Sequence, residues 1–319
     1  MNILILSAGR RVELLKNFQT AMINHGLDGK VLAADAVPQW SAACHVADGH
    51  FTLPRVTSGG YAQALHKLCL DQQVRLVIPT IDTELPVLCS LREDFARDGI
   101  IVLISSCDLV MSCRDKRKTG QLFQSIDIPY PTIYARSSLT FPCFCKPYDG
   151  SSSIGTAIIR GKNELTHNML ANEKNIFMEF IGPEYREYTV DGYYDRYGTL
   201  QCLVPRERIE VRAGEVSKGI TRKHFVYEFL WPRLSKLKGF RGCCTIQVFG
   251  NPQSGDIKGL EINPRFGGGF PLSSAAGADY PDWLVREYFL QQEIGKFEDW
   301  TENLLMLRYD AKVVVHVPD

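Results

Sequence analysis

An alternation between two kinds of segment in the first hundred residues restricts the fold most strongly. "NILILSA" predicts a buried strand, "RRVELLKNFQTAMINHG" an amphipathic helix that ends at Gly26, and "KVLAAD" a second strand. The order continues with the helical "YAQALHKLCLDQQ" and the strands "RLVIPT" and "IIVLISS". Strands that alternate with helices form βαβ units around a parallel sheet covered on both faces. We therefore predict a Rossmann-like α/β domain over residues 1–112.

The pattern changes after Ser106. "DLVMSCRDKRKTGQLFQSI" is helical and basic, and "DIPYPTIYARSS" is a connector punctuated by prolines. The segments that follow alternate like strands: "FPCFCKP", "GTAIIRG", "NIFMEFIG", "REYTVDGYYD", "TLQCLVPRERIEV", "CCTIQVFG" and "IKGLEINP". Turns such as "YDGSSSIG" separate them, which favours a mostly antiparallel sheet, and "DYPDWLVREYFLQQEIG" predicts a late helix. The fold class we expect is an α/β unit followed by an α+β half.

Charge and cysteine usage exclude several classes of protein. The 36 basic residues balance 36 acidic ones, so no overall field favours nucleic acid or an anionic membrane. The ten cysteines are scattered through apolar runs without a C-x-x-C unit, which disfavours a disulfide framework and a zinc site. The N-terminal apolar run is too short for a signal peptide, and no stretch could span a bilayer. We expect a cytoplasmic protein without nucleic-acid or membrane partners.

The segment "GLEINPRFGGG" carries polar side chains at alternate positions of a strand. Residues two apart point the same way, so Glu261 and Asn263 share a face while Leu260 and Ile262 are expected to face the core. An isolated E-x-N pattern is also typical of a solvated hairpin face. Residues elsewhere in the chain must decide between a ligand site and ordinary surface.

Gln247, in the preceding strand "TIQVF", extends this polar face. If the two strands form a hairpin about Ser254, Gln247 lies directly opposite Glu261, with Cβ atoms roughly 4.5–5.5 Å apart. With Asn263, three oxygen donors then converge, which suits Mg²⁺ because that ion keeps waters and is completed by substrate phosphates. Arg265, two residues further on, can present its planar fork to a phosphate or carboxylate.

Two lysines stand beside features that suit phosphate. Lys116 opens a helix in "RDKRKTG", and Lys146 ends a strand before the loop "YDGSSSIGT", which contains Ser152 and Ser153. A lysine next to such a loop can place its charge on phosphate while backbone N–H groups bind the oxygens. The loop lacks the residue order of a Walker A motif. Taken alone, each lysine is better interpreted as a surface charge, and the loop is better interpreted as a hairpin turn.

The segment "FMEFIGPEYREYTVD" has groups that suit adenine and ribose. Adenine needs a backbone donor and acceptor between apolar side chains, and ribose needs a carboxylate for its hydroxyl groups. Glu179, the backbone of Phe180 and Ile181, and Glu187 could supply these contacts. An edge strand with exposed carboxylates is the alternative interpretation.

Taken in order, these pieces resemble the ATP-grasp superfamily, most closely its carbamoyl-phosphate-synthase-like branch. The matching segments are "RDKRKTG", Lys146 with "YDGSSSIGT", "MEFIGPEYREYTVD", Gln247 and "EINPRFGGG", and "SAGRRVEL" and "PTIDTEL" look like the pre-ATP-grasp domain found there. The resemblance implies that residues 113–319 form an ATP-grasp domain whose two α+β subdomains clasp ATP, with a lid at about 130–181.

The same resemblance implies roles for the candidate residues. Lys116, Lys146, Ser152 and Ser153 would hold phosphates, and Glu179, Phe180, Ile181 and Glu187 the nucleoside, with Glu184 competing for the ribose. Gln247, Glu261 and Asn263 would hold Mg²⁺ or Mn²⁺. Lys146, Arg265 and Arg206 would act in catalysis, and Arg206 is preferred over Arg208 on the substrate side.

Members of this superfamily phosphorylate a carboxylate and let an amine displace the phosphate. We therefore expect a stand-alone ligase for small-molecule carboxylate and amine substrates, with a homodimer as the implied assembly. The chain has one ATP-grasp unit instead of two, no glutaminase, and no room for an allosteric domain after residue 319, so we do not expect carbamoyl phosphate synthesis.

Two alternatives from other classes were weighed. An NAD(P)-dependent oxidoreductase would use Asp35, at the end of the second strand, on a ribose, but the first turn has one glycine and no G-x-G-x-x-G. A non-catalytic ATP-binding regulatory module would not need the metal ligands and Arg265 that are present.

Overall fold

The first sheet of the computed structural model is parallel and five-stranded. Its strand order is β3-β2-β1-β4-β5. The alternation in the sequence predicts that this sheet is parallel and indicates four of its strands, but neither β3 nor the strand order. Its strands are β1 (Asn2–Leu6), β2 (Val31–Asp35), β3 (Gly49–Thr52), β4 (Val74–Ile78) and β5 (Ile101–Val102). Helices α1 (Val12–Asn24), α2 (Ala42–Val46), α3 (Tyr61–Asp71) and α4 (Leu85–Arg97) connect them. The structure describes residues 1–150, 154–212 and 214–316.

Strand β1 is apolar at every position after Asn2 because helices cover both faces of the sheet. Ile3 and Ile5 belong to the large core that extends into the rest of the molecule, whereas Leu4 and Leu6 belong to a separate core on the other face. All four side chains are fully buried. A continuous apolar run is therefore the expected pattern for this strand.

Two consecutive helices, α5 (Cys107–Arg114) and α6 (Lys116–Gln124), lead out of the first domain. The sequence pattern predicts one helical segment here, and the structure breaks it at Asp115. The Asp115 carboxylate accepts the backbone N–H of Arg117 at 2.9 Å and so caps the start of α6. The predicted domain boundary at residue 112 falls inside α5.

A four-stranded sheet of order β6-β9-β7-β8 follows, with all of its pairs antiparallel. Its elements are β6 (Ile133–Tyr134), β7 (Cys143–Pro147), β8 (Ala157–Ile159), α7 (His167–Ala171) and β9 (Asn175–Glu179). Cys143, Cys145, Ile159 and Phe177 form its small core. The range of about 130–181 that was predicted to form a lid includes all the strands of this sheet, and its role as a lid stays a prediction.

The largest sheet has six antiparallel strands in the order β14-β13-β10-β11-β12-β15. Its strands are β10 (Arg186–Tyr194), β11 (Leu200–Arg212), β12 (Glu215–Thr221), β13 (Gly242–Gly250), β14 (Ile257–Asn263) and β15 (Leu305–Leu307). Helices α8 (Phe225–Leu234), α9 (Phe270–Ala275) and α10 (Tyr280–Tyr288) complete this half. None of the helices in the described ranges combines the length and apolar character needed to cross a bilayer.

Candidate active site

Polar side chains occupy one face of the large sheet, because alternate residues of each strand point to the same side. Where β10, β11, β13 and β14 lie side by side, this face carries Glu187, Thr189, Arg206, Arg208, Thr245, Gln247, Glu261 and Asn263. All eight line a cleft of about 780 Å³. Residues from the lid strands β7 and β9 and from the start of α6 form its other walls.

The register of the β13–β14 hairpin brings Gln247 opposite Glu261, as the spacing predicts. Nearer the turn, however, Val248 pairs with Gly259, so Leu260 is an extra residue in a β-bulge. The prediction that Leu260 faces the core is therefore wrong, since its side chain is half-buried and lines the cleft. Ile262, in contrast, is 1% exposed and belongs to the core.

The three predicted metal ligands are in direct contact with one another. Gln247 Nε2 donates a hydrogen bond to Glu261 Oε1 at 2.7 Å, and Asn263 Nδ2 donates to the same oxygen at 3.0 Å. Turning either amide by half a revolution exchanges its NH₂ group for its oxygen. The set therefore fits a hard cation that prefers oxygen ligands. No three His, Cys, Asp or Glu side chains are grouped as a metal site within the described ranges.

Lys146 and Lys116 place two positive charges on the opposite wall of the cleft. Lys146, at the end of β7, is 5% exposed and has no ion-pair partner among the described residues. The pKa of Lys146 is lowered to about 8, mainly by burial and also by Lys116, while Glu261 acts in the opposite sense. Burial also lowers the pKa of Lys116, whose Nζ donates to the backbone oxygen of Gly150. Neither lysine forms an ion pair within the described ranges, so the two charges suit an anionic ligand. The predicted Ser152 and Ser153 lie outside the described residues.

Glu179, Phe180 and Ile181 line the cleft where β9 leaves the lid. The Glu179 carboxylate forms an ion pair with Lys258 of β14 and accepts the backbone N–H of Thr132 at 3.3 Å. The end of β9 is therefore linked to the large sheet by a charged contact at the rim of the cleft.

The two acids that compete for the ribose role are in different places. Glu187 lines the cleft and pairs with Arg208 at 2.9 Å. Burial raises the pKa of Glu187, Arg208 opposes this effect, and Glu261 adds to it. Glu184 is exposed, lies outside the cleft and folds back over Gly182. The geometry therefore favours Glu187 for contact with a ligand.

Arg265 connects the polar face of the large sheet to the first domain. Its Nη2 pairs with Asp82 Oδ2 at 2.6 Å, Nη1 donates to the oxygen of Phe266 at 3.1 Å, and its buried Nε has no hydrogen-bond partner. Asp82 follows β4 in "PTIDTEL", and sequence reasoning assigned it no individual role. Its position just beyond the carboxyl end of a central parallel strand is the sequence signal that could have identified Asp82 as a site residue.

Arg206 is 1% exposed and pairs with the fully buried Asp191 at 2.8 Å. Asp191 also accepts hydrogen bonds from Ser273 Oγ at 2.6 Å and Thr245 Oγ1 at 3.2 Å. Sequence reasoning missed Asp191, although it continues the i, i+2 series from Glu187 and so lies on the polar face. The guanidinium of Arg206 is thereby held rigidly while it lines the cleft.

The glycines 267–269 are explained by packing inside the protein. A Cβ atom on Gly267 would lie 2.8 Å from Thr245 Oγ1, and one on Gly269 would collide with the guanidinium of Arg206. Three consecutive glycines in the sequence also predict a close approach of a ligand to the backbone. All three line the cleft, and their absent side chains also make room for Thr245 and Arg206.

Family comparisons agree with this geometry. The model for the PylC-like N-terminal domain matches residues 3–103, and the model for "ATP-grasp in the biosynthetic pathway with Ter operon" matches residues 171–310. The chain has an ATP-grasp fold. Its resemblance to the superfamily and its fold class, a Rossmann-like pre-ATP-grasp domain followed by an ATP-grasp fold, are confirmed. The domain limits and individual site roles stay predictions.

Among curated relatives, the chain is similar to the carbamoyl phosphate synthase large chain of Methanobrevibacter smithii. The two are 21% identical over 247 residues, which is 69% of this chain and 23% of that relative. The chain thus corresponds to less than a quarter of the relative's length.

Solved structures with the same fold include two further enzymes. The biotin carboxylase domain dimer of the Hydrogenobacter thermophilus 2-oxoglutarate carboxylase, in complex with MgADP, ADP and bicarbonate, matches with a TM-score of 0.75 and 15% identity. The match covers 95% of this chain and 73% of that one. N5-carboxyaminoimidazole synthetase from Staphylococcus aureus, complexed with ADP, gives 0.69 and 14%, covering 92% and 78%.

Proposed function

We propose that this protein is an ATP- and Mg²⁺-dependent ligase that activates a carboxylate as an acyl phosphate and joins it to an amine. One observation carries the proposal. Gln247, Glu261 and Asn263 face the same cleft as Lys116 and Lys146, so a cation site and an anion site share one enclosed volume. That combination suits a metal-bound nucleoside triphosphate.

The residues of the cleft would bind different parts of the metal–nucleotide complex according to their chemistry. Gln247, Glu261 and Asn263 would hold Mg²⁺, or Mn²⁺, through oxygen atoms. The bound metal would neutralise charge on the β- and γ-phosphates. Lys146 and Lys116 would place two ammonium groups on the same phosphates from the lid side. Both lysines lie in partly buried positions, where their charges are less screened than on an open surface.

The nucleoside would lie where the lid meets the large sheet. Glu179 and the backbone of Phe180 and Ile181 would contact adenine, and Glu187 the ribose hydroxyls. Phe144 of β7, Met178 of β9 and Leu260 of β14 add apolar walls to this part of the cleft. The bulge at Leu260 supports the assignment because it turns an apolar side chain out of the core and into the cleft.

Arg265 and Arg206 would stabilise the charge that develops as the γ-phosphoryl group moves to the carboxylate. In this reaction the carboxylate oxygen forms a bond to phosphorus, the bond to the ADP oxygen breaks, and an amine then displaces phosphate from the carbonyl carbon. Guanidinium groups fixed before the reaction act without a reorganisation cost. Each is held by a carboxylate, Arg265 by the partly buried Asp82 and Arg206 by the buried Asp191.

The test is a screen for ADP release with ATP, Mg²⁺ and a panel of carboxylic acids and amines. Glu261→Ala removes the oxygen to which both amides bind, and we expect it to reduce turnover at least ~100-fold. Glu228→Ala, which removes an exposed carboxylate on α8, is the matched control. Wild-type turnover in a correctly folded Glu261→Ala variant would refute the metal assignment.

The alternative functions predict different results in the same assay. A regulatory module would bind ATP without releasing ADP across the whole panel. An oxidoreductase would bind NAD(P) and not ATP. Against this second alternative, Asp35 Oδ2 already accepts the backbone N–H of Gly9 at 3.0 Å and so serves the turn of its own domain.

The proposed location is the cytoplasm, because all ten cysteines are free thiols, which a reducing compartment maintains. The proposed assembly is a homodimer, by analogy with the dimeric H. thermophilus domain. Light scattering of the purified protein tests the second proposal.

A further inference from the structure

A second cavity, of about 140 Å³, lies where the first domain meets the turn between β10 and β11. It shares no lining residue with the cleft. Arg92 of α4, Arg196 of that turn and Arg241, just before β13, all line it, and we call it the arginine pocket. These three residues come from separate parts of the chain, so only the tertiary structure gathers them.

No ion pair within the described ranges neutralises the positive charges of the arginine pocket. No acidic side chain is among its described lining residues. Arg92 and Arg241 form neither an ion pair nor a side-chain hydrogen bond within the described ranges. Arg196 donates hydrogen bonds to two neutral acceptors, the backbone oxygen of Glu287 at 3.1 Å and Gln291 Oε1 at 3.0 Å. Its buried Nε has no hydrogen-bond partner among the described residues.

Two acids close to Arg196 are already occupied by other partners. Asp195 accepts the backbone N–H groups of Tyr197 and Thr199, each at 2.9 Å. The carboxylate of Glu287 accepts the hydroxyl of Tyr193 and the backbone N–H of Arg196. Burial raises the pKa of Glu287, which further weakens it as a counter-ion. Three guanidinium groups gathered in this way repel one another unless an anion joins them.

Two hydroxyl groups near the arginine pocket have no hydrogen-bond partner among the described residues. Tyr288 is 7% exposed, and its buried oxygen is one of them. Burial raises the pKa of Tyr288, and Arg241, Arg196 and Arg92 all act in the opposite sense, so all three guanidinium groups are within electrostatic reach of it. Ser106, which also lines the cavity, precedes α5, and its side chain caps no N–H of that helix.

We propose that the arginine pocket binds a phosphate group, either free or carried by a small metabolite. Sites for whole ligands measure about 300–1,000 Å³, so a cavity of about 140 Å³ admits only a small charged group. Each guanidinium presents a planar fork that matches phosphate oxygens, and three unpaired positive charges favour a dianion over a monocarboxylate. Binding would join α4 of the first domain to the large sheet.

The test is calorimetric titration of inorganic phosphate at constant ionic strength. It is done in the Lys146→Ala background, which weakens the proposed phosphate site of the cleft. Arg92→Gln and Arg241→Gln, each checked for folding by circular dichroism, should each weaken the remaining phosphate affinity by ~10-fold or more. Arg97→Gln removes one positive charge from the exposed end of the same helix and should leave the affinity unchanged.

Other results would overturn the proposal. These are the loss of all phosphate binding in Lys146→Ala alone, an equal effect of Arg97→Gln, or tighter binding of citrate than of phosphate. The two phosphate sources are compared by titrating a sugar phosphate against inorganic phosphate. Tighter binding of the sugar phosphate assigns the pocket to a metabolite, and the reverse assigns it to the free ion.

Discussion

At the scale of single residues, burial in the cleft shifts the pKa values of charged groups away from those of solvent-exposed groups. Lys146 is buried and forms no ion pair among the described residues. The pKa of Glu187 is raised although its carboxylate pairs with Arg208. A group whose charged form is destabilised in the free protein is stabilised when a ligand of opposite charge arrives. We therefore expect nucleotide binding to change protonation inside the cleft.

Lys146 gives this expectation a defined pH range. Its pKa is lowered from 10.5 to about 8, so at pH 9 the free protein carries mostly neutral amine. Bound phosphates would raise that pKa, and nucleotide binding at pH 9 should take up roughly one proton. The uptake is measured by calorimetry in two buffers of different protonation enthalpy.

Two substitutions complete this measurement. Lys146→Met should remove most of the proton uptake, whereas Lys118→Met, which removes an exposed lysine of α6, should retain it. Binding heats that do not depend on the buffer in the wild-type protein would contradict the prediction.

At the scale of elements, the β13–β14 hairpin and α6 form one packed unit behind the cleft. Phe123 of α6 is fully buried against Gly259, beside the bulge. The N–H of Gly259 donates to the oxygen of Pro129 at 2.7 Å, which joins the strand to the segment after α6. Because Lys116 is the first residue of α6, the position of this helix also sets the position of that ammonium group.

Gly259→Ala tests this packing. The added Cβ would lie 2.5–2.7 Å from three atoms of the Phe123 ring, so the ring and α6 must move. We expect the free energy of unfolding to fall by ~1–3 kcal/mol, as for other overpacked core positions, when measured by urea denaturation. Gly59→Ala is the control, since nothing lies within 4 Å of its Cβ. Equal effects of the two substitutions would argue against the packing role.

At the scale of the whole molecule, three parts of the chain meet around the cleft. Asp82 of the first domain pairs with Arg265 beyond β14, and Glu179 of the lid strand β9 pairs with Lys258 of β14. A ligand in the cleft would touch all three parts and stabilise them together. The proposed function therefore has a consequence for stability that does not require turnover.

ATP with Mg²⁺, supplied at 100 times its dissociation constant, should raise the free energy of unfolding by about 2.7 kcal/mol. The increase is read as a higher melting temperature in calorimetric scans. Chelating the metal with EDTA should remove most of the shift, and Glu261→Ala should behave like the chelated protein. A shift of the same size without metal would show that the Gln247, Glu261 and Asn263 set does not hold a cation.

Much of the fold could be predicted because its elements have strong local patterns. The buried strand β1 is apolar after Asn2, and β13 alternates between buried and half-buried residues from Ile246 to Gly250. The alternation of β14 is interrupted by the bulge at Leu260. Two strands of the large sheet, β12 and β15, were not predicted. The first, "EVSKGIT", contains a glycine and a lysine, and the second has three residues, so neither has a pattern long or regular enough to read.

The sequence alone determined which side chains of a strand share a face, because that depends only on the two-residue period of the backbone. This was sufficient to bring Gln247, Glu261 and Asn263 together. The tertiary structure decided the bulge that turns Leu260 into the cleft and the ion pair of Arg206 with Asp191. It also decided which three arginines come together in the arginine pocket. Contacts between distant elements depend on how those elements pack, and no local period encodes that packing.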